Sequence, residues 1–204
     1  HHLTDTHDVI LNMLEECRKA GHEDRALMFC SLSKVTFPGA GVAAMAASRR
    51  NIDYILKNMF PMIISFDKLN QVRHIRFLKD MDGLAAHMEK HRALLEPKFR
   101  AVLAILDEGL SGCGSIARWT KPNGGYFLSL YTLGGCAKRT VQLCREAGVV
   151  LTDAGAAYPY GVDPQDSNIR IAPTFPPLDE LETASRLLCV CVRIATLEKL
   201  LQRQ

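Results

Sequence analysis

The sequence predicts a fold of the α/β or α+β class. Apolar residues recur at helical spacing in several long segments. Short apolar runs bounded by Gly and Pro lie between them. Over the last 110 residues the two kinds of segment alternate, the pattern of a sheet with helices packed against it. A chain of 204 residues suits one large domain or two small ones.

In chain order, a helix is expected over about 8–19, because Val9, Ile10, Met13, Leu14 and Cys17 share one face. Thr4 or Thr6 would cap it and Gly21 would stop it. Residues 25–31 read as a short buried strand, and 33–41, with Pro38, Gly39 and Gly41, as a loop. The small apolar residues of 42–47 suit either a strand or a tightly packed helix. A helix over 49–58 should break at Pro61. Residues 67–90 read as one long helix bridging two lobes, and 94–106 as another with Pro97 near its first turn. After a turn-rich gap at 109–114, strands at 115–120 and 126–131 flank the turn Pro122-Asn123-Gly124-Gly125. A helix over 136–147 stops at Gly148. Strands at 149–152 and 169–172 follow, and a helix over 178–201 closes the chain.

Composition excludes several function classes. Lys+Arg number 25 and Asp+Glu 22, a net charge of +3, so nothing favours a nucleic acid or a membrane surface as partner. Apolar residues are 48% and charged residues 23%, which suits a folded core rather than disorder. No apolar run approaches the roughly 18 residues of a membrane span, and the polar N-terminus does not read as a signal peptide. The seven cysteines (17, 30, 113, 136, 144, 189 and 191) form no Cys-x-x-Cys and no zinc spacing. They are expected to be buried, reduced thiols of a cytoplasmic protein, with no metal.

The chemistry concentrates in two places. Residues 26–48 form a stretch of 23 that holds a single charge, Lys34. A lone lysine in apolar surroundings is costly to bury unless it is used, and desolvation turns its amine into a nucleophile. Ser31, Ser33 and Thr36 flank it, and hydroxyls with backbone N–H groups in a Gly-rich turn suit a phosphate. An amine that forms a Schiff base beside a phosphate cradle is what pyridoxal phosphate (PLP) requires. A lysine that snorkels to solvent from a loop fits the same residues. The second lone charge is Arg170, in Ser-Asn-Ile-Arg-Ile-Ala-Pro. It could clamp a planar carboxylate with two N–H bonds, or form a structural salt bridge.

Ser31-Leu-Ser-Lys34 followed by Phe37-Pro-Gly-Ala-Gly-Val42 resembles the lysine loop of fold-type I PLP enzymes. Lys121-Pro-Asn-Gly-Gly-Tyr-Phe127 is similar to their small-domain hairpin. Gly148-Val-Val-Leu-Thr152 with Asn168-Ile-Arg-Ile-Ala-Pro173 is similar to their carboxylate-arginine segment. The bacterial aspartate aminotransferases of subgroup Ic carry the most similar lysine loop, and the resemblance runs essentially from His1 to Gln204. It implies the PLP-dependent transferase fold type I. Residues 1–75 would be the C-terminal part of the large domain and 76–204 the small α+β domain.

The resemblance also implies roles. Lys34 would be the catalytic amine that bonds the cofactor and shuttles the proton. Ser31 and Ser33 would bind the cofactor phosphate, and Arg170 the substrate carboxylate. Substrates would be an aspartate-like amino acid and a 2-oxo acid such as 2-oxoglutarate, and the protein would be a homodimer. Asn70 and Gln71 would either approach a neighbouring subunit's site or lie on a polar helix face. The loop arginine that many aminotransferases use to grip the phosphate has no counterpart in Gly39-Ala-Gly-Val42. The family's glycine-rich phosphate turn, and the acid that holds the pyridine nitrogen, would precede His1. The chain therefore resembles a C-terminal half, inactive in isolation. A PLP-binding effector domain of a transcription regulator, or an inactive truncated fragment, are the other readings.

Three further patterns occur in the sequence. Ser31-Leu-Ser-Lys34 is also Ser-x-x-Lys, but no Lys-Thr-Gly accompanies it. Gly112-Cys-Gly-Ser-Ile-Ala117 matches Gly-x-Gly-x-x-Ala but follows a helix rather than a strand. His87 and His91, at i and i+4, enclose Met-Glu in the wrong positions for a zinc helix and read as a solvated face.

Overall fold

The computed structural model describes Leu3 and residues 8–202. They form two compact units. One spans Asp8–Met88; the other comprises Leu3 and residues 89–202.

The Asp8–Met88 unit opens with α1 (Met13–Lys19). Thr4 and Thr6 lie outside the described residues, and the cap is Asn12, whose side chain accepts from the Leu14 and Glu15 N–H groups. The helix therefore starts five residues later than its apolar pattern suggests, because that cap satisfies two N–H groups left without intrahelical partners. It ends where expected. Gly21 takes φ +72°, and His22 N–H returns to the Cys17 carbonyl in a Schellman closure.

Strand β1 (Leu27–Ser31) pairs antiparallel with β2 (Ala43–Ala47), with Leu27 opposite Ala47 and Ser31 opposite Ala43. Pairing decides the ambiguous small-residue run in favour of a strand. The expected burial of β1 is not found: each of its residues is exposed, Phe29 at 72%, and Cys30 is an exposed thiol. A two-stranded ribbon has too little surface to bury both faces of its own strands.

Helix α2 (Arg49–Ile63), capped by Ser48, runs through Pro61 rather than breaking at it. The missing N–H falls in the last turn, where one lost hydrogen bond removes little. The single helix expected over 67–90 is two. Helix α3 (Lys68–Leu78) stops at Lys79, which takes φ +66°. Asp80 then caps α4 (Met81–Leu110) by accepting from Gly83 N–H at 2.8 Å. A Cβ on Gly83 would collide with the Leu78 carbonyl oxygen, so this corner requires glycine. Helix α4 continues through residues 90–97 as one 30-residue helix with Pro97 in its interior. Its buried stripe of Leu95, Phe99, Val102, Ile105, Leu106 and Leu110 outweighs one lost hydrogen bond. The boundary between the two units falls within α4.

In the second unit, β3 (Ala117–Trp119), β4 (Leu128–Thr132) and β5 (Asn168–Ile171) form an antiparallel sheet with β4 central. Helices α5 (Ala137–Glu146) and α6 (Leu178–Leu201) complete it. Buried residues alternate along β4, and Leu128 and Leu130 join Val102, Leu106, Ile169 and Val192 in the core. Residues 149–152 are not a strand. Val149 N–H instead closes the end of α5 on the Cys144 carbonyl, and Val150 is 80% exposed.

Leu130 is fully buried at the centre of this sheet. Leu130→Ala should lower the stability of its unit by about 2–5 kcal/mol, through lost transfer energy and a residual cavity. Urea denaturation followed by tryptophan fluorescence measures this, since Trp119 lies in the same unit, opposite Leu130.

Candidate functional site

Lys34 stands on a turn directly after β1. The Leu32 carbonyl accepts from both Val35 N–H and Thr36 N–H, each at 2.9 Å, and Leu32 N–H returns to the Val42 carbonyl. The turn thus closes on itself within the strand pair. Ser31, Ser33 and Lys34 are all exposed, contrary to the expectation of a desolvated lysine. The Ser31 and Ser33 hydroxyl oxygens are 2.8 Å apart, and Ser33 N–H also points to Ser31 Oγ at 3.2 Å. Three groups suited to holding an anion and bonding a carbonyl therefore occupy four consecutive positions. A Cβ on Gly41 would stand 2.5 Å from Ser33 Oγ, so glycine there keeps the space that Ser33 occupies. This cluster fits PLP: hydroxyls and an N–H for its phosphate, and an adjacent primary amine.

The loop is held by α3 and the start of α4, through residues that the sequence reading did not assign to it. Asn70 is buried rather than part of a polar helix face, and its side-chain N–H₂ donates to the Ala40 and Gly41 carbonyls. Gln71 is exposed. His74, only 4% exposed, donates from Nδ1 to the Asn70 carbonyl at 2.8 Å. Its Nε2 lies 2.7 Å from Thr36 Oγ1. His87 is half-buried, not on a solvated face, and donates from Nε2 to the Val35 carbonyl at 2.7 Å. The sequence signal was the spacing: Asn70 and His74 are one helical turn apart.

Arg170 lies on β5 opposite Ser129 in the other unit. It is half-buried, its Nε is buried without a hydrogen-bond partner, and its guanidinium lies 4.9 Å from the Phe127 ring centre. Among the described residues no carboxylate pairs with it. It lines a cavity of about 550 Å³ with Val149, Thr152, Ala172, Pro176 and Leu188. A cation beside apolar walls, with an unsatisfied N–H, suits a carboxylate.

Asp163 sets the start of β5. Its carboxylate accepts from Gln165 N–H at 3.0 Å, and from Ser167 and Asn168 N–H at 2.8 Å each. Burial acts to raise its pKa, but these donors outweigh it and hold the carboxyl below the usual range. Thiolate chemistry at Cys144 and Cys189 is disfavoured by contrast. Burial pushes the Cys144 thiol up to about 12 and the Cys189 thiol up to about 11, so neither forms a thiolate readily. None of the seven cysteines is in a disulfide. Among the described residues no three His, Cys, Asp or Glu gather to hold a metal ion, and no helix is long and apolar enough to cross a membrane.

Known proteins resemble the chain along its whole length. The profile of the family described as "Aspartate amino-transferase" matches residues 1–204. An aspartate aminotransferase of Corynebacterium glutamicum is 41% identical over 198 residues, which cover 97% of this chain and 46% of that protein. The crystal structure of an aspartate transaminase from Corynebacterium glutamicum superposes with a TM-score of 0.92 at 41% identity, covering 98% of this chain and 47% of that one. The α-aminoadipate aminotransferase of Thermus thermophilus, solved with N-(5'-phosphopyridoxyl)-L-leucine, shares the fold at a TM-score of 0.76 and 21% identity, over 96% of this chain and 48% of that one. The chain belongs to the aspartate aminotransferase family and has the fold of fold-type I PLP aminotransferases. It spans about half the length of the curated relatives it matches.

The Asp163 cluster has a pH signature. A carboxylate whose folded pKa is depressed contributes stability above its unfolded pKa of about 3.9, and loses it as pH falls through the lower folded value. Asp163→Asn places an N–H₂ against at least one N–H donor. It should cost about 1.5–3 kcal/mol at pH 7, and the deficit relative to the parent should shrink below about pH 4. Urea titrations at pH 3 to 7 measure both effects.

Proposed function

We propose that the protein containing this chain is a PLP-dependent aminotransferase that moves an amino group from an aspartate-like amino acid to a 2-oxo acid such as 2-oxoglutarate. The observation that carries this is the exposed Ser31–Ser33–Lys34 turn, two hydroxyls 2.8 Å apart beside a primary amine, in a chain of this family. The names of the Corynebacterium glutamicum relatives support an aspartate-like substrate, and the ligand in the Thermus thermophilus structure supports the cofactor.

When bound, PLP supplies an electron sink for the carbanion left as the amino acid loses its Cα proton. The chain's residues would do the rest. Ser31 and Ser33 would turn their hydroxyls from each other onto the phosphate and fix the cofactor's position. The Lys34 amine would bond the cofactor carbonyl carbon while no substrate is present. Released by the incoming amino group, the neutral amine would take the Cα proton and return it elsewhere. Arg170 would hold the substrate carboxylate through its planar fork, with the apolar cavity walls strengthening the attraction by excluding water. Residues 1–75 would contribute to a large domain and 76–204 to a small one. A cytoplasmic homodimer is part of the same reading, carried over from the resemblance of the lysine loop, and seven cysteines without a disulfide suit a reducing compartment.

In the full-length protein, borohydride reduction with PLP should place the label on the peptide carrying Lys34, read by mass spectrometry. A label on another lysine, with Lys34 unmodified, removes the assignment. Arg170→Lys should weaken amino-acid binding by about 10–100-fold, the equivalent of a charged hydrogen bond of about 1.5–3 kcal/mol, while PLP binding persists. An unchanged KM for aspartate, or loss of cofactor instead, gives Arg170 a structural role.

A further inference from the structure

The Lys34 loop is short of internal partners. Its Val35, Ala40 and Gly41 carbonyls and its Thr36 hydroxyl are met by side chains from α3 and α4. Proton inventory fixes how. The Asn70 carbonyl can only accept, so His74 carries a proton on Nδ1. In the neutral ring Nε2 is then an acceptor, and Thr36 supplies the hydrogen. The Thr36 hydroxyl has one hydrogen and two acceptors in reach, His74 Nε2 at 2.7 Å and the Leu32 carbonyl at 3.2 Å. The shorter contact takes it, leaving Leu32 to the two backbone N–H groups that form the turn. The Val35 carbonyl likewise requires the proton of His87 on Nε2.

Rings lock the same places. Phe37, on the loop, meets the His74 ring edge-on with centres 5.3 Å apart and lies 5.5 Å from Phe77. Phe77 in turn meets His87 edge-on at 5.0 Å. The two histidines thus grip Val35 and Thr36, the two residues directly after Lys34, and are themselves held by one aromatic cluster.

We propose that His74 and His87 are positioning residues that hold the Lys34 turn through Thr36 and Val35, so that the lysine amine projects from a fixed backbone. The proposal rests on the reading of Lys34 as the cofactor-bonding amine. Neither histidine is given a contact with substrate or cofactor; they act through the turn. Misplacement of a reacting group by about 1 Å costs up to about 100-fold in rate, so loosening this turn should be read first in kcat. Arg170, read as the group that holds the substrate carboxylate, belongs to the other unit, so KM for the amino acid should move little.

The test uses the full-length protein with His74→Ala, His74→Gln, His87→Ala and His87→Gln. Glutamine keeps an acceptor for the Thr36 hydroxyl at 74 and a donor for the Val35 carbonyl at 87. In cofactor-free protein, amide exchange at Lys34, Val35 and Thr36 should quicken by about 10-fold or more in the alanine variants and return toward the parent rate in the glutamine variants. With PLP bound, kcat should fall by about 10–100-fold in the alanine variants, recover in the glutamine variants, and leave KM for aspartate within about 3-fold. Unchanged exchange and kcat in both alanine variants overturns the proposal. So does glutamine as damaging as alanine, with kcat following the loss of thermal stability, since the histidines then only fill space. If borohydride labels a lysine other than Lys34 in the parent protein, the functional reading fails, while exchange in the cofactor-free variants still reports whether the histidines hold the turn.

Discussion

The buried imidazole of His74, held between the Asn70 carbonyl on one side and the Thr36 hydroxyl on the other, is the interaction on which the Lys34 loop depends. A loop of eleven residues between two strands, 32–42, carries a row of carbonyls that cannot all be met by its own N–H groups. In water they would be solvated and the loop would move. Here α3 and the first turns of α4 supply donors at fixed positions on rigid helices, and an exposed lysine is consequently presented from a restrained backbone. In the role proposed for Lys34 the amine bonds one partner and then moves a proton for another, and a restrained backbone serves both steps.

The break between α3 and α4 serves the same end. A continuous helix over residues 67–90 would carry Asn70, His74 and His87 on a single rod. The reversal at Lys79 and Asp80, made possible by Gly83, lets His74 and His87 reach adjacent residues of one loop from two helices. The corner has a cost, a non-glycine residue at positive φ, and the Asp80 cap offsets part of it.

In the other unit the organising group is Asp163. Its two oxygens collect three backbone N–H groups within five residues, which fixes where β5 begins and hence which residue faces the cavity. A one-residue slip of β5 would turn Arg170 to the opposite face of the sheet. The register with Ser129 and the carboxylate clasp therefore specify the same side-chain direction independently. The buried Nε of Arg170, without a protein partner among the described residues, is what this precision leaves available for a ligand.

Much of this was legible in the residues. The helix over 178–201, the three strands of the second unit and the stop at Gly148 follow from local pattern, because caps, turns and periodicity are set by neighbours within a few positions, while the motifs around Lys34 and Arg170 were legible through their resemblance to a known family. The failures were of another kind. Pro61 and Pro97 sit inside helices, since a prolines's missing hydrogen bond is a local loss that distant packing outweighs. Residues 149–152 have strand composition but no strand partner, and β1 has apolar composition but stays exposed, because pairing and burial depend on surfaces elsewhere in the chain. The sequence by itself determined which residues are candidates for the chemistry, since amine, hydroxyl and guanidinium are properties of side chains. Only the tertiary structure decided that His74, His87 and Asn70, 36 or more positions after Lys34, hold its loop, because hydrogen bonds between a loop and a distant helix leave no periodic trace in either segment.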